Sequence, residues 1–154
     1  MSEPEPTNYL RQKESFTIST DPTKLDLDVI HGYLTRSYWA KGIPKAIVAQ
    51  SLEHSLCFGL YDGQTQIGFA RVVTDQTHFA YLCDVFILET YQGRGLGTWL
   101  LESILECPNL VGVRHFMLAT RDAHAFYRKQ GFGPVTNPSN LMYKLGERPW
   151  FQPE

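Results

Sequence analysis

The stretch HFAYLCDVFILETYQGRGLGTWLLESIL at residues 78–105 decides the fold of this chain. Its first part, residues 78–88, is an apolar run with the length and composition of a buried β-strand. Its last part carries apolar residues at helical spacing from Leu96 to Leu105. Between the two, QGRGLG at residues 92–97 alternates glycine with other residues. A glycine-rich turn that leads from a strand into a helix is typical of α/β proteins.

The pattern on either side of this stretch predicts the rest of the fold, which is α/β (α+β) in class. Upstream we predict a strand, two helices and two further strands, the last two joined by the hairpin turn Asp62-Gly63-Gln64. Downstream we predict a short strand, a short helix and a last strand. The sheet is predicted to be mixed and mostly antiparallel, flanked by helices, because a strand-helix-strand crossover follows an antiparallel meander. The predicted bounds are 16–19, 25–37, 44–54, 56–61 and 66–75 upstream, and 116–119, 122–130 and 141–145 downstream.

The length and composition predict a single domain. With 154 residues, of which 43% are hydrophobic, the chain can bury a core of its own. We expect that domain over residues 16–146. Prolines and mixed charges without apolar periodicity predict a flexible N-terminal tail over residues 1–15, and residues 147–154 are expected to form a C-terminal tail.

The charge balance and the cysteines limit the classes of function. A formal net charge of -2 argues against a nucleic acid partner, which would need a basic surface. Cys57, Cys83 and Cys107 have no CxxC spacing, so reduced thiols in a reducing compartment are predicted. Residues 1–8 lack a secretory signal, and no apolar run approaches the roughly 18 residues of a membrane span. We therefore expect a cytoplasmic protein with no membrane partner.

The glycine loop has the features of an anion-binding site. Glycines let a phosphate approach the backbone amides, the helix N-terminus adds unsatisfied N–H groups, and Arg94 adds a full positive charge. Two other phosphate motifs do not fit: the Gly-Lys-Ser/Thr ending of a Walker loop is absent, and Thr98 stands where the dinucleotide fingerprint needs a glycine. The alternative is a glycine-rich turn that binds no ligand.

Two motifs together resemble the GNAT acyltransferase superfamily. Residues 92–97 resemble its Gln/Arg-x-x-Gly-x-Gly/Ala signature, and Tyr127 with Gly131-Phe132 is similar to its Tyr-x-x-x-Gly-Phe ending. The resemblance implies an N-acetyltransferase that uses acetyl-CoA as co-substrate and no metal. It also implies a splay, a separation of the fourth and fifth predicted strands, with the pantetheine arm between them. The residues expected to bind the cofactor are Phe86, Ile87, Gln92, Gly93, Arg94, Gly95, Leu96, Gly97 and Thr98.

Three residues are candidates for proton transfer. By resemblance, Tyr127 protonates the departing thiolate; without the resemblance, core packing would be its simpler role. Asp84 stands alone in an apolar run, on a face that a two-residue period shares with Leu82 and Phe86, and is predicted to act as the base. The alternative for Asp84 is an ion pair with Arg71. Glu89 could act as the base through water, or could simply be solvated.

The acceptor is expected near the loop that follows the first helix. Tyr33, Tyr38 and Trp39 could form a cation-binding wall there, or could only cover the sheet edge, and Arg71 could hold an acceptor carboxylate. We predict direct transfer, through a ternary complex, to a primary amine of a small molecule. The alternatives are a protein or peptide amine and a CoA-binding regulatory module without activity. Homodimers are common in the family, and the sequence leaves the oligomeric state open.

Overall fold

In the computed structural model, which describes residues 8–147 and residue 150, six strands form one sheet in chain order. Each strand from the first to the fifth is antiparallel to its neighbours in that series, and the last two strands are parallel to each other. The mixed, mostly antiparallel sheet predicted from the sequence is therefore confirmed. The strands are β1 (Leu10–Lys13), β2 (Phe16–Ser19), β3 (Leu56–Asp62), β4 (Thr65–Thr74), β5 (Phe79–Ile87) and β6 (His115–Leu118).

Helices flank the sheet as predicted, with slightly shorter bounds. The first begins later than expected because the side chain of Asp26 caps its N-terminus by accepting from two backbone N–H groups, whereas Asp21-Pro22 starts a separate 3-10 turn. Pro44 precedes the second helix and starts it without a side-chain cap. The helices are α1 (Leu27–Leu34), α2 (Lys45–Glu53), α3 (Leu96–Leu105) and α4 (His124–Arg128).

Two predictions at the ends of the chain are wrong. Residues 10–13, expected to be part of a flexible tail, form β1, because backbone pairing with β2 orders a segment whose own residues are mostly polar. The last strand, predicted over residues 141–145, is not formed, and most of its apolar side chains are exposed. Residues 1–7 of the expected N-terminal tail, and 148–149 and 151–154 of the C-terminal tail, lie outside the described residues.

The two faces of the sheet carry separate apolar clusters. The side chains of α3 pack on one face, where Leu100 and Ile104 are fully buried. The helices α1 and α2 pack on the other face, where Ile30 and Val48 are fully buried. Both faces of the central strands are thus covered, which holds β5 in place between the two layers.

The two parallel strands separate after a short paired region. β5 and β6 pair from Phe79 with His115 to Leu82 with Leu118, and the pairing ends there although β5 continues to Ile87. The splay predicted between these strands is confirmed. Within the described residues, no helix is long and apolar enough to cross a membrane.

Candidate active site

A cleft of about 700 Å³ opens where β5 and β6 separate. It is lined by β5, by the end of α1 and the segment after it, by residues that follow β6, and by α4. A cavity of this size lies within the roughly 300–1,000 Å³ typical of small-molecule sites. The cleft brings together five of the predicted site residues, which are Tyr33, Tyr38, Trp39, Asp84 and Tyr127.

A β-bulge interrupts β5 at this cleft. Asp84 has a φ of 57°, in the left-handed region, although it lies within a strand, and the register against β4 shifts between Phe69 and Arg71. As a result, Leu82 and Phe86 pack into different core clusters. The predicted common face of Leu82, Asp84 and Phe86 is therefore wrong, because the bulge breaks the two-residue period that the prediction assumed.

The carboxylate of Asp84 already has partners within the chain. Its Oδ2 accepts from Nε of Arg71 at 2.8 Å, and its Oδ1 accepts from Nε1 of Trp39 at 3.0 Å. Arg71 also donates from Nη1 to Oγ of Ser55 at 3.0 Å. The side chains of Arg71 and Asp84 are only 19% and 12% exposed. The ion pair that the sequence offered as the alternative is present, and it also fixes the indole ring of Trp39.

The aromatic wall carries guanidinium groups of the chain itself. The ring of Tyr33 stacks on Phe86 at 4.2 Å between centroids, and Cζ of Arg36 lies 4.6 Å from the Tyr33 centroid. Cζ of Arg121 lies 3.7 Å from the centroid of Tyr38. Arginines therefore occupy faces of Tyr33 and Tyr38 on which a substrate cation was expected to stack.

Arg36 also connects the aromatic wall to Glu89, which lies two residues after the end of β5. Its guanidinium donates to both carboxylate oxygens of Glu89, and lowers the pKa of that carboxyl below its usual range. Both side chains are more than half exposed. A carboxylate with a lowered pKa is a weaker base, so this contact does not favour Glu89 as the base. The sequence alone did not identify the partner of Glu89, because Arg36 lies 53 positions away.

The glycine loop has the backbone shape that an anion site requires. Gly93 and Gly95 have φ values of 80° and 77°, which side chains rarely adopt, and a Cβ at either would meet no atom within 4 Å. Gly95 is the N-cap residue of α3, and no side chain accepts a hydrogen bond from the first N–H groups of this helix. The first N–H groups of α3 are left for an external acceptor. An open, uncapped helix start fits a pyrophosphate such as that of CoA.

Side chains of the loop contact neighbouring backbone. Nε2 of Gln92 donates to the carbonyl of Ile87 at 2.8 Å. Nη2 of Arg94 donates to the carbonyl of Thr90 at 3.4 Å, and its guanidinium lies 5.2 Å from the centroid of Tyr91. These contacts hold the side chain of Gln92 against the end of β5 and that of Arg94 against the backbone between β5 and α3. Leu96 points into the core instead, so only its backbone can serve a ligand.

Tyr127 is held by aromatic neighbours at the edge of the cleft. Its ring makes edge contacts with Phe126, at 5.0 Å between centroids, and with Phe132, at 6.0 Å. The backbone N–H of Phe132 donates to the carbonyl of Tyr127, which closes the turn after α4. Burial raises the pKa of the Tyr127 phenol above its ordinary value. The hydroxyl therefore stays protonated through the neutral range.

Comparison with known proteins identifies the family. A family model described as the acetyltransferase (GNAT) family matches residues 23–132. This chain belongs to the GNAT acetyltransferase family.

Three relatives show how close the similarity is. A candidate acetyltransferase of Gibberella zeae is 34% identical over 151 residues, covering 82% of each chain. A solved structure of a GNAT-family protein from Xanthomonas campestris pv. campestris is 43% identical, with a TM-score of 0.83, covering 85% of this chain and 93% of that one. The ribosomal-protein-S18-alanine N-acetyltransferase of Escherichia coli is 28% identical, with a TM-score of 0.65, covering 79% of each chain.

The GNAT relationship supports an acyl-CoA-dependent acetyltransferase. Phe86 and Ile87, expected to bind the pantetheine arm through their main chain, lie beyond the last pair of β5 with β6. Their backbone on that side of β5 is thus outside the paired region. The side chain of Phe86 is buried in the core, so main-chain contacts are what this residue can offer.

Proposed function

We propose that this protein is an N-acetyltransferase that transfers the acetyl group of acetyl-CoA to a primary amine of a small molecule, by direct attack in a ternary complex. The observation that carries the proposal is the cleft at the separation of β5 and β6, which Tyr127 lines. We place the activity in the cytoplasm, and the proposal includes no metal, nucleic acid or membrane.

The glycine loop would hold the donor. Backbone N–H groups of residues 93–98 would bind the pyrophosphate, with the guanidinium of Arg94 as a second positive group. When bound, acetyl-CoA supplies an activated acetyl thioester. Gly93 and Gly95 have positive φ values and no side chain, so a phosphate could approach the backbone N–H groups of the loop without a steric clash.

Tyr127 would supply the proton that a departing thiolate needs. An ordinary phenol has a pKa near 10 and an ordinary thiol one near 8.5, and burial raises the pKa of Tyr127 further. The phenol is therefore the weaker acid of the two and keeps its proton in the resting enzyme. It would stabilise the departing thiolate by donating a hydrogen bond to it, and a phenolate left by full proton transfer would regain its proton from solvent. Edge contacts with Phe126 and Phe132 fix the ring that carries this hydroxyl.

The acceptor amine has to lose a proton before it attacks. An ordinary lysine-like amine, with a pKa near 10.4, costs roughly 4.6 kcal/mol to deprotonate at pH 7. Of the two predicted bases, Asp84 lines the cleft, whereas Glu89 lies after β5 and is held by Arg36. Because Arg71 and Trp39 already donate to the two oxygens of Asp84, we propose that Asp84 positions the aromatic wall and that the amine proton leaves to solvent through water in the cleft.

A small acceptor is favoured by the lining of the cleft. The chain's own arginines lie over Tyr33 and Tyr38, which leaves stacked aromatic and guanidinium groups around a cavity of about 700 Å³. The Escherichia coli relative, by its name, acts on the alanine of a ribosomal protein. A protein or peptide amine is therefore the second candidate, and a CoA-binding module without activity is the third.

A thiol-release assay with acetyl-CoA separates these candidates. The purified full chain is tested against a panel of small amines and amino acids and, at matched concentration, against peptides with free N-terminal or lysine amines. Products are identified by mass spectrometry. Turnover with small amines supports the proposal, and higher kcat/KM for peptides favours the second candidate. Tight acetyl-CoA binding without turnover on any acceptor would leave only the regulatory module.

A further inference from the structure

The face of the sheet on which α1 and α2 pack is left open at the start of β5. Ala80 and Leu82 are buried in the cluster on the α3 face, so the alternate residues Phe79 and Tyr81 lie on the other face. In the part of the chain that the structure describes, the cluster that α1 and α2 form there includes Phe86 but neither Phe79 nor Tyr81. The two helices therefore cover only the later part of β5.

Apolar side chains from three neighbouring strands meet at this open end. Tyr81 pairs with Val73 of β4 on one side and with Met117 of β6 on the other, and directly paired residues share a face. Phe79 lies two positions before Tyr81, on the same face. Val73 and Phe79 are 40% and 37% exposed, and Tyr81 and Met117 are half-buried. We call these four residues the apolar shelf.

The apolar shelf is continuous with the candidate active-site cleft. Tyr81 belongs to both, because it also lines the cleft, and Cys83, the next residue of β5 on this face, lines the cleft too. From Cys83 to Phe79 this surface extends about 13 Å along the strand, at the usual rise of roughly 3.3 Å per residue. A molecule with one end in the cleft could therefore lie along the shelf with the rest of its length.

The size of the apolar shelf favours a small molecule over a protein partner. Its few side chains are far fewer than the roughly 20–30 residues that each side of a stable protein interface contributes. The shelf also has a polar edge, where His115 pairs with Phe79 and the rings of His78 and His115 lie 5.1 Å apart between centroids. A small apolar surface that continues from a cavity and ends at polar groups suits the apolar part of a ligand.

We propose that the acceptor is an amine with an apolar body, aliphatic or aromatic, which the apolar shelf binds while the amino group lies in the cleft. This inference rests on the proposed function, because it names the class of amine that the same site would accept. Burial of apolar surface against Val73, Phe79 and Met117 would strengthen binding of such an acceptor. An acceptor with a charged group at its far end would bind less well, because that group would lose water at the shelf.

A series of straight-chain alkylamines, from butylamine to decylamine and each below its micellar concentration, tests the shelf. With saturating acetyl-CoA, kcat/KM should rise about two- to fourfold for each methylene group that lies on the shelf, since full burial of a methylene is worth roughly fourfold. Terminal diamines of equal length are the matched control ligands. Their second ammonium group ends on the shelf, so their kcat/KM should not rise with length. Equal slopes for the two series would overturn the proposal.

Substitutions in the shelf give a second readout. Val73→Asp places a carboxylate on the shelf, so the preference for decylamine over the diamine of equal length should fall by roughly tenfold or more. Phe79→Ser adds no charge and should lower the gain with chain length for the alkylamines alone, which keeps the test open if Val73→Asp does not fold. Val111→Asp changes another exposed apolar residue, outside the shelf and 67% exposed, and should keep both wild-type ratios. A wild-type preference in folded Val73→Asp would contradict the proposal.

Calorimetric binding of the same amines, with CoA present, separates failure of the shelf from failure of the proposed function. A rise in affinity with alkyl chain length that Val73→Asp removes would support the shelf even if no amine is acetylated. Acetylation of butylamine and decylamine with equal kcat/KM would support acetyl transfer and overturn the shelf. A wild type that sediments as a dimer, with Val73→Asp as a monomer, would assign the shelf to a contact between copies of the chain and would also overturn the proposal.

Discussion

Nε of Arg71 donates to Oδ2 of Asp84 at 2.8 Å, and the indole N–H of Trp39 donates to the other oxygen of the same carboxylate at 3.0 Å. One carboxylate thus connects β4, the bulge of β5 and the segment after α1. Both members of the ion pair are mostly buried, so removing one charge leaves the other without compensation in a poorly solvated place. The aromatic wall of the cleft and the stability of the bulge therefore depend on the same side chain.

We expect Asp84→Asn to lower the free energy of unfolding by about 1–3 kcal/mol, because Arg71 loses its charged partner. Acetyl-CoA affinity should stay unchanged, since the glycine loop is not involved. The KM of the acceptor should rise because Trp39 is held less firmly. Urea denaturation and steady-state kinetics on the folded fraction measure the three quantities.

The control for this change is Asp28→Asn, which removes one charge from the exposed ion pair with Lys45. This variant should have nearly the same free energy of unfolding as the wild type. If Asp84→Asn instead unfolds like the wild type and loses kcat by orders of magnitude, Asp84 is the base, as the sequence suggested, and its positioning role is secondary.

Gly95→Val should weaken acetyl-CoA binding by at least tenfold. A valine disfavours the φ of 77° and places methyl groups in the open space beside the first turn of α3. Isothermal titration calorimetry on the folded protein measures the affinity.

Gly63→Val is the matched control for backbone strain. Gly63 has a φ of 60°, also with open space around it, but lies in the turn between β3 and β4. Both variants should lose stability, and only Gly95→Val should lose affinity. Wild-type affinity in folded Gly95→Val would remove the loop from the donor site.

Tyr127→Phe should retain acetyl-CoA affinity and lose kcat by roughly 10²- to 10⁴-fold, the usual contribution of a general acid. The ring and its contacts with Phe126 and Phe132 remain, so the packing is preserved. Pre-steady-state thiol release with a good acceptor measures the chemical step.

Tyr61→Phe provides the comparison, since it also removes one hydroxyl. The hydroxyl of Tyr61 is buried and has no hydrogen-bond partner in the described part of the chain, so its loss should leave kcat unchanged. Equal kcat values for Tyr127→Phe and the wild type would assign Tyr127 to packing alone.

Glu89→Gln should keep kcat within a few-fold of the wild type. The guanidinium of Arg36 lowers the pKa of Glu89, and a weakly basic, exposed carboxylate is a poor proton acceptor at neutral pH. The pH dependence of kcat/KM should also be unchanged. A loss greater than 100-fold that Arg36→Gln does not reproduce would instead make Glu89 the base.

The features that the sequence predicted well are set by local patterns. The strand at β5, the glycine turn and the apolar stripe of α3 each show in adjacent residues, because a strand, a tight turn and an amphipathic helix impose their own periods. The resemblance to GNAT proteins rested on the same local stretches, and the family match extends from residue 23 to 132.

The features that could not be predicted from the sequence depend on residues that are far apart in the chain. The segment 10–13 is mostly polar and becomes a strand because β2 pairs with it. The bulge at Asp84 arises from a register shift against β4, which the sequence of β5 does not show. The contacts of Arg36 with Glu89 and of Arg121 with Tyr38 join separate segments of the chain, so no spacing rule could predict them.

Asp75 should make the stability of the protein depend on pH in the acid range. Its Oδ1 accepts from the backbone N–H groups of Thr77, His78 and Phe79 at 2.8–3.0 Å, within the turn between β4 and β5. These bonds favour the charged form and hold the pKa of Asp75 well below its usual range. The unfolded chain, with an ordinary pKa near 3.9, binds the proton more readily than the folded one.

The stabilisation from Asp75 is therefore fully present above pH 4, approximately the ordinary value, and is lost as the pH falls through the lower folded value. Asp75→Asn keeps the shape and an acceptor oxygen but cannot ionise. It should be less stable than the wild type at pH 7. The difference should shrink as the pH falls below that ordinary value, because the unfolded wild type then binds a proton at Asp75 that the folded wild type does not bind and that Asp75→Asn cannot bind in either state. Urea denaturation of both proteins between pH 7 and pH 2.5 measures the difference. A constant difference across this range would show that the charge of Asp75 does not stabilise the turn.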